Sequence, residues 1–288
     1  MSDADRPDTQ ATATESGVGL GRTEPPVTLT IAGSEATGGA GAQADLKTFQ
    51  QLGTFGMVAL TCIVSFDPRS DWGHRFVPID AQVIADQLEA QLACYDIDAV
   101  KTGMLGTPAT ITTVADVLRQ QRFARLVVDP VLICKGQKPG AALDTDNALR
   151  EQVLPLATFV TPNLFEATLL AGMPAIETVD ELAEAARRIH ESCGATVLAK
   201  GGVRLAGPDA IDVFYDGTAL ALLSAPKVGE VAVSGAGCTL AAAVTAFLAL
   251  GRSPFDAARE AKDFVTAGIH ARRSSRAPFD ALWQGAAR

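Results

Sequence analysis

From Val27 onward, short β-rich runs alternate with helical patterns almost without a break, and this alternation restricts the fold more than any other feature. Val27–Ala32, Met57–Phe66, Ala99–Lys101, Leu126–Asp129, Phe159–Val160 and Thr196–Ala199 read as strands. Helical patterns follow at about Ala42–Leu52, Asp80–Cys94, Pro108–Gln121, Asp144–Val153, Leu164–Ala171 and Val179–Cys193. Repeated strand-then-helix predicts a doubly wound α/β fold, with a mostly parallel sheet and helices on both faces. Ile211–Tyr215 and Ala219–Leu223 flank Asp216-Gly217, which predicts an added antiparallel hairpin with a type I′ turn. Two helices, about Gly237–Leu250 and Pro254–Arg272, close the chain.

No repeat or linker divides residues 27–272, so a single domain over 27–288 is expected. Residues 1–26 are rich in Thr, Ala, Asp, Glu and Gly without apolar periodicity, the composition of a disordered tail. The formal charge of −9 argues against a nucleic-acid partner, and Arg272-Arg273 is only a pair. No apolar run approaches the roughly 18 residues that span a bilayer. The N-terminus shows neither the charged start nor the apolar stretch of a signal peptide. Five cysteines at irregular spacing, without a CxxC pair, fit reduced thiols in a cytoplasmic protein better than disulfides or zinc.

In open α/β sheets, ligands bind beyond the carboxyl ends of the strands. Here the strand tips fall at Gly33, Asp67, Thr102, Asp129, Thr161 and Lys200, and unusual chemistry collects around them. The segment Val233-Ser234-Gly235-Ala236-Gly237-Cys238-Thr239 runs straight into an alanine-rich helix. Unpaired N–H groups and the positive end of the helix dipole make such a turn an anion hole. A thiol at Cys238 would there have its thiolate stabilised.

A second glycine-rich loop, Gly33 to Gly41, precedes the first helix. Gly39-x-Gly41-x-x-Ala44 satisfies a relaxed dinucleotide fingerprint, with Asp67 as the ribose acid, although the turn is long for one. Asn163 and Glu166 share a helix face and suit either a hydrated Mg²⁺ or a capping box. Lys200-Gly201-Gly202 suits a mobile cation over polyphosphate, and Asp129-Pro130 offers a strand-end acid. Together these parts fit phosphoryl transfer, in which positioning and charge neutralisation dominate, and no GxxxxGK[ST] P-loop is present.

In this order the motifs resemble the ribokinase-like superfamily, in its branch of hydroxymethylpyrimidine (phosphate) kinases and bacterial pyridoxal kinases. The resemblance covers about residues 27–272. It rests on Ile31–Ser34, Gly38–Thr48, Lys101–Leu105, Val128–Val131, Thr161–Ala167 and Gly235–Thr239. Val131–Gly136 looks like the lid of the two-cysteine pyridoxal kinases, and Cys134 and Cys238 stand at their two cysteine positions. Trp72-Gly73-His74 and Asp212–Gly217 are also more similar to that subgroup. Phe66 stands where pyrimidine kinases carry a Gln, which removes a hydrogen bond to a pyrimidine edge.

The resemblance implies ATP over Lys200, Gly201, Gly202, Asn163 and Thr239, with Mg²⁺ near Asp129 and Glu166. It implies a B6 vitamer against Ser34, Glu35, Gly39, Phe66, Gly103 and Met104. The 5′-hydroxymethyl group is then phosphorylated at the anion hole of Gly235, Ala236 and Gly237. Cys238 would act as base or as an aldehyde trap, with Cys134 closing over it, and a homodimer is the common assembly. Two positions depart from the branch: Ser234 replaces its usual His and Glu35 its usual Asp. A pyrimidine kinase of thiamine biosynthesis, and a non-catalytic vitamer- or nucleotide-binding protein suggested by Ser234, remain as alternatives.

Overall fold

A computed structural model describes residues 24–132 and 139–286, the side chains of residues 139–142 excepted. Residues 1–23, most of the expected tail, and Cys134 with the rest of 133–138 lie outside the described residues.

Nine strands form one sheet in the order β3-β2-β1-β4-β5-β6-β7-β8-β9. They are β1 (Val27–Glu35), β2 (Phe55–Asp67), β3 (Gly73–Pro78), β4 (Ala99–Thr102), β5 (Leu126–Val128), β6 (Phe159–Val160), β7 (Thr196–Lys200), β8 (Asp209–Tyr215) and β9 (Leu220–Pro226). The helices are α1 (Gly41–Gln51), α2 (Ala81–Cys94), α3 (Pro108–Gln121), α4 (Pro139–Gln152), α5 (Leu164–Leu170), α6 (Val179–Cys193), α7 (Ala236–Ala249) and α8 (Pro254–His270). Strands β2, β1, β4, β5, β6 and β7 run parallel, while β3, β8 and β9 add antiparallel edges. The expected α/β fold with an antiparallel hairpin is thus present.

Local chemistry explains the clearest boundaries. Thr107 caps α3 by accepting the Thr110 N–H at 3.2 Å, and Pro108 fills the first turn, where its missing N–H costs nothing. Ile111, Val114, Ala115 and Leu118 then bury one face. A capping box between Thr178 and Glu181 opens α6, and Gly194, at φ 74°, ends it. By contrast α7 is apolar on nearly every side, because it lies against β1, β4 and β5 beneath α1 and α8.

Two expectations are corrected. β3 was not anticipated: it is an exposed edge strand paired with β2 and lacks a buried face to mark it. The β8–β9 turn is not type I′, which needs positive φ at both central residues. Only Gly217 has it, at 95°, and Asp216 instead holds the turn by accepting from the N–H groups of Thr218 and Ala219 at 2.9 and 2.7 Å.

Alternate strand residues face opposite layers. Leu29, Ile31, Val100 and Val128 pack with Ile84, Leu88, Ile111 and Leu149 from α2, α3 and α4. Val127, Phe159, Leu198 and Phe214 pack with residues of α7 and α8. The sequence winds one way from β1 to β2 and the other way from β1 to β4, so the switch point lies between the ends of β1 and β4. Among the described residues no helix is long and apolar enough to cross a membrane.

Candidate active site

Four parallel strands end side by side and deliver their polar residues to one place. Beyond β5, the Asp129 N–H donates to the Thr102 carbonyl at the tip of β4 at 3.0 Å. The Asp129 carboxylate accepts from Thr161 Oγ1 and from Lys200 Nζ, both at 3.2 Å. Lys200 ends β7, and its N–H donates to Pro162 O at 2.8 Å, so the Asn163 turn is held beside it. Asp129, Asn163, Glu166 and Lys200 therefore come together, as the resemblance implies.

Asn163 and Glu166 form a capping box: Asn163 Oδ1 accepts from Glu166 N at 3.1 Å and Glu166 Oε2 from Asn163 N at 2.9 Å. The two readings of this pair are compatible, because the box fixes Glu166 where Asp129 and Lys200 surround it. Burial, reinforced by Asp129 and opposed by Lys200, pushes the Glu166 carboxyl up to about 8. Lys200 moves the other way from what its burial alone dictates, since Asp129 and Glu166 outweigh desolvation and raise its pKa.

A stability effect follows for the chain without nucleotide or divalent cation. The folded pKa of Glu166 lies above its ordinary value of 4.5, so the folded state holds the proton more tightly. That contribution is complete below pH 4.5 and lost as pH rises through about 8. Across this window the wild type's melting temperature should fall relative to that of Glu166→Gln. Parallel melting curves for the two would contradict the assignment.

The anion hole lies alongside. Gly235 caps α7 at φ 80° without a side-chain cap; the Ala236 N–H turns back to the Val233 carbonyl at 3.3 Å, while the Gly237 and Cys238 N–H groups that follow have no side chain capping them. A Cβ on Gly235 would overlap the carbonyl oxygen of Gly39, so the two glycine-rich loops interlock. A Cβ on Gly237 would lie 3.5 Å from Lys200 Nζ, which puts that ammonium beside the helix N-terminus. Thr239, one turn in, is buried and bonded at Oγ1 by Gln284 Nε2 at 3.1 Å.

Glu35 organises the first loop. Its carboxylate accepts from Thr37 N at 2.7 Å, Thr37 Oγ1 at 2.7 Å, Gly39 N at 3.0 Å and Ala40 N at 3.2 Å. In this structure its partners belong to its own loop. Ser34 Oγ accepts from Gln43 Nε2 at 2.7 Å, and the Met104 carbonyl accepts from Thr61 Oγ1 at 2.6 Å. Space at Gly103 is tight: a Cβ there would sit 3.0 Å from Lys101 Nζ and 3.1 Å from Ala32 Cβ. Asp67, the ribose acid of the dinucleotide reading, pairs with Arg75 and Arg69 on the β2–β3 hairpin.

One expectation about Cys238 is reversed. The thiol keeps part of its surface open, yet dense protein surrounds it and desolvation raises its pKa to about 11. Lys101 and a hydrogen bond from Gly41 act in the opposite direction and do not overcome burial. In the free chain Cys238 is a thiol.

Sequence reasoning missed the pair beneath it. Lys101 and Asp45 are both fully buried, with Nζ 2.9 Å from Oδ2, and Thr30 Oγ1 donates to the same oxygen at 2.6 Å. Thr30 and Lys101 are paired across β1 and β4, so both point to α1, which carries Asp45. Asp45, its hydrogen-bonded partner, outweighs burial with help from Asp129 and keeps Lys101 an ammonium. The available signal was a lysine inside a strand that is buried throughout. Also missed was Asp212, whose Oδ1 accepts from Gly201 N at 3.1 Å while Oδ2 pairs with Lys262 Nζ at 2.8 Å. That buried pair fixes the turn after Lys200. A cavity of about 320 Å³ lies between the segment that leads into the anion-hole loop and the segment after α8, lined by Val228–Val233, Arg272 and Ala277–Asp280.

The chain is 46% identical over 241 residues to the pyridoxine kinase of Bacillus subtilis, covering 84% of this chain and 89% of that one. It is 40% identical over 246 residues to a hydroxymethylpyrimidine/phosphomethylpyrimidine kinase of Rhizobium meliloti, covering 85% and 91%. The Staphylococcus aureus pyridoxal kinase, solved with AMP-PCP and pyridoxal, superposes with a TM-score of 0.84 at 41% identity, covering 91% and 94%. The phosphomethylpyrimidine kinase family model matches residues 35–278, a span that takes in the whole Asp129, Glu166, Lys200 and Cys238 cluster, and the chain belongs to that family.

Proposed function

We propose that the chain transfers the γ-phosphoryl group of ATP to the 5′-hydroxymethyl group of pyridoxal, with pyridoxine and pyridoxamine as further vitamers. What supports this reading is the start of α7, interlocked with the glycine loop after β1 and set beside Lys200, together with Phe66 near the end of the neighbouring strand β2. A pyridine ring lies on an aromatic face without needing the edge hydrogen bond that a pyrimidine would use.

Lys200 is held by Asp129 in the free chain and is one short reorientation from a phosphate over Gly237. The N–H groups at the start of α7 and the Lys101 ammonium below supply fixed positive charge where the transferred group passes. Asp129 and Glu166 fit a hydrated Mg²⁺ carried by the nucleotide, which takes few protein ligands. Among the described residues, no three His, Cys, Asp or Glu side chains gather into an all-protein cage. When bound, the ion neutralises phosphate charge. The substrate hydroxyl yields its proton to Cys238 as thiolate, its oxygen bonds to the γ-phosphorus, and the bond to the β-phosphate oxygen breaks to release ADP. Cys134, outside the described residues, is the lid partner in this reading, which also holds the protein to be a cytoplasmic homodimer.

Parallel assays of ATP consumption with pyridoxal, pyridoxine and hydroxymethylpyrimidine test it. Turnover of pyridoxal is expected. Turnover of the pyrimidine alone would move the protein to thiamine biosynthesis, and ligand binding without turnover at saturating Mg·ATP would make it a binding protein.

A further inference from the structure

We infer that Phe279, on the strap that follows α8, forms with Phe66 and Trp72 the wall on which the aromatic acceptor ring lies, making it a specificity-determining residue. The inference rests on the acceptor named above. Phe279 lies one residue beyond the family match, which ends at residue 278.

Four rings from two distant parts of the chain meet here. Phe279 and Phe66 have centroids 5.1 Å apart at 48°, and Trp72 meets Phe279 edge-on at 6.5 Å and 79°. His74 completes the group, edge-on to Phe66 at 4.7 Å. All four are only partly buried, so apolar ring surface remains for a planar ligand. The β2–β3 hairpin carrying three of them is strained: Asp71 and Trp72, neither a glycine, have φ of 46° and 56°. Strain of this kind persists where surrounding contacts enforce it.

The strap is built to hold that ring in place. Arg272 pairs with Asp280 at 3.0 Å, and Ser275 Oγ donates to the Phe279 carbonyl at 2.7 Å. Ala281 bridges both Arg273 and Ser234, and Ser234 N donates to Asp280 O at 2.9 Å. A Cβ on Gly39 would lie 3.0 Å from Ala281 Cβ. The same few residues therefore lay Phe279 on Phe66, cover the first glycine loop, and grip the residue before the Gly235 cap. The strap is anchored on the anion-hole loop through the Ser234 backbone, whose N–H and carbonyl bond Asp280 and Leu282, and nothing in these contacts explains the serine side chain where the branch usually has His.

Phe279→Ala, Phe279→Leu and Phe279→Tyr test the assignment in the full-length enzyme. Pyridoxal binding is read by equilibrium dialysis without ATP, and KM is measured for pyridoxal and ATP separately. Losing a stacking face should weaken pyridoxal binding and raise its KM by about 5- to 50-fold in the Ala and Leu variants. KM for ATP should stay near the wild-type value, and Tyr, which keeps the ring, should restore binding. Leu retains apolar bulk, so a folding defect confined to the Ala variant does not obscure the result. Unchanged pyridoxal binding in the Leu variant, or equal changes in both KM values, overturns the assignment. A wild type that phosphorylates no B6 vitamer overturns the parent reading and this one together. A wild type active on pyridoxal with a Leu variant indistinguishable from it removes Phe279 alone.

Discussion

Replacing Cys238 by alanine is expected to lower kcat by roughly 10²–10⁴-fold, the usual contribution of a positioned general base, with little change in KM for ATP. The thiol stands on the first turn of α7, next to the Gly235–Gly237 anion hole and above the buried Lys101–Asp45 pair. Burial holds its pKa near 11, so at neutral pH only a small fraction is thiolate. Below that pKa the thiolate fraction grows about tenfold per pH unit. The sign is therefore fixed: wild-type kcat/KM for pyridoxal, which reports groups of the free enzyme, should rise with pH on the alkaline side, and Cys238→Ser should flatten the rise. Steady-state kinetics over the range in which the protein stays folded measures both. Full turnover in Cys238→Ala, or the same pH profile in both enzymes, would leave the thiol without a part in proton transfer. Comparing pyridoxal with pyridoxine separates the second possible role, because only pyridoxal offers an aldehyde for the thiol to add across.

The helices whose ends carry local chemistry could be read from the chain itself. Thr107-Pro108, the Thr178/Glu181 box and Gly194 each satisfy or end the backbone within a few residues, so α3 and α6 fall where periodicity placed them. β3 could not be read that way, because Gly73–Pro78 is an exposed edge whose pairing with β2 depends on a hairpin, not on a buried face. The acidic and basic residues at the strand tips were legible one by one, since a doubly wound sheet sends strand ends to one side. Their partnerships were not. Lys101 and Asp45 are separated by 56 positions and meet only through the β1–β4 register. Cys238 shows the same limit from another side. Sequence reveals a helix N-terminus, which favours the thiolate, but not the packing density around the sulfur, which opposes it more strongly.

Gly235→Ala should reduce kcat by about 10²–10³-fold, as when an anion-hole donor is removed. Two separate costs act at this position. An L-residue at φ 80° is held in the left-handed region, at roughly 1–2 kcal/mol. The added methyl would also overlap the Gly39 carbonyl, and that atom is backbone, so it has no rotamer to retreat into. Either the first glycine loop or the start of α7 must shift. Glu35 braces Gly39 and Ala40 through their N–H groups, whereas no side chain caps the start of α7, so relief falls most easily there. That moves the N–H groups meant for the phosphate and displaces Cys238 with them. Gly53→Ala separates strain from collision: Gly53 has φ 79°, but a Cβ there meets nothing within 4 Å. It should lose a similar 1–2 kcal/mol of stability on denaturant unfolding, about the left-handed cost alone, and keep its kcat. If Gly235→Ala retains turnover while losing no more stability than Gly53→Ala, the two loops do not depend on each other, and the anion hole is not built on their contact.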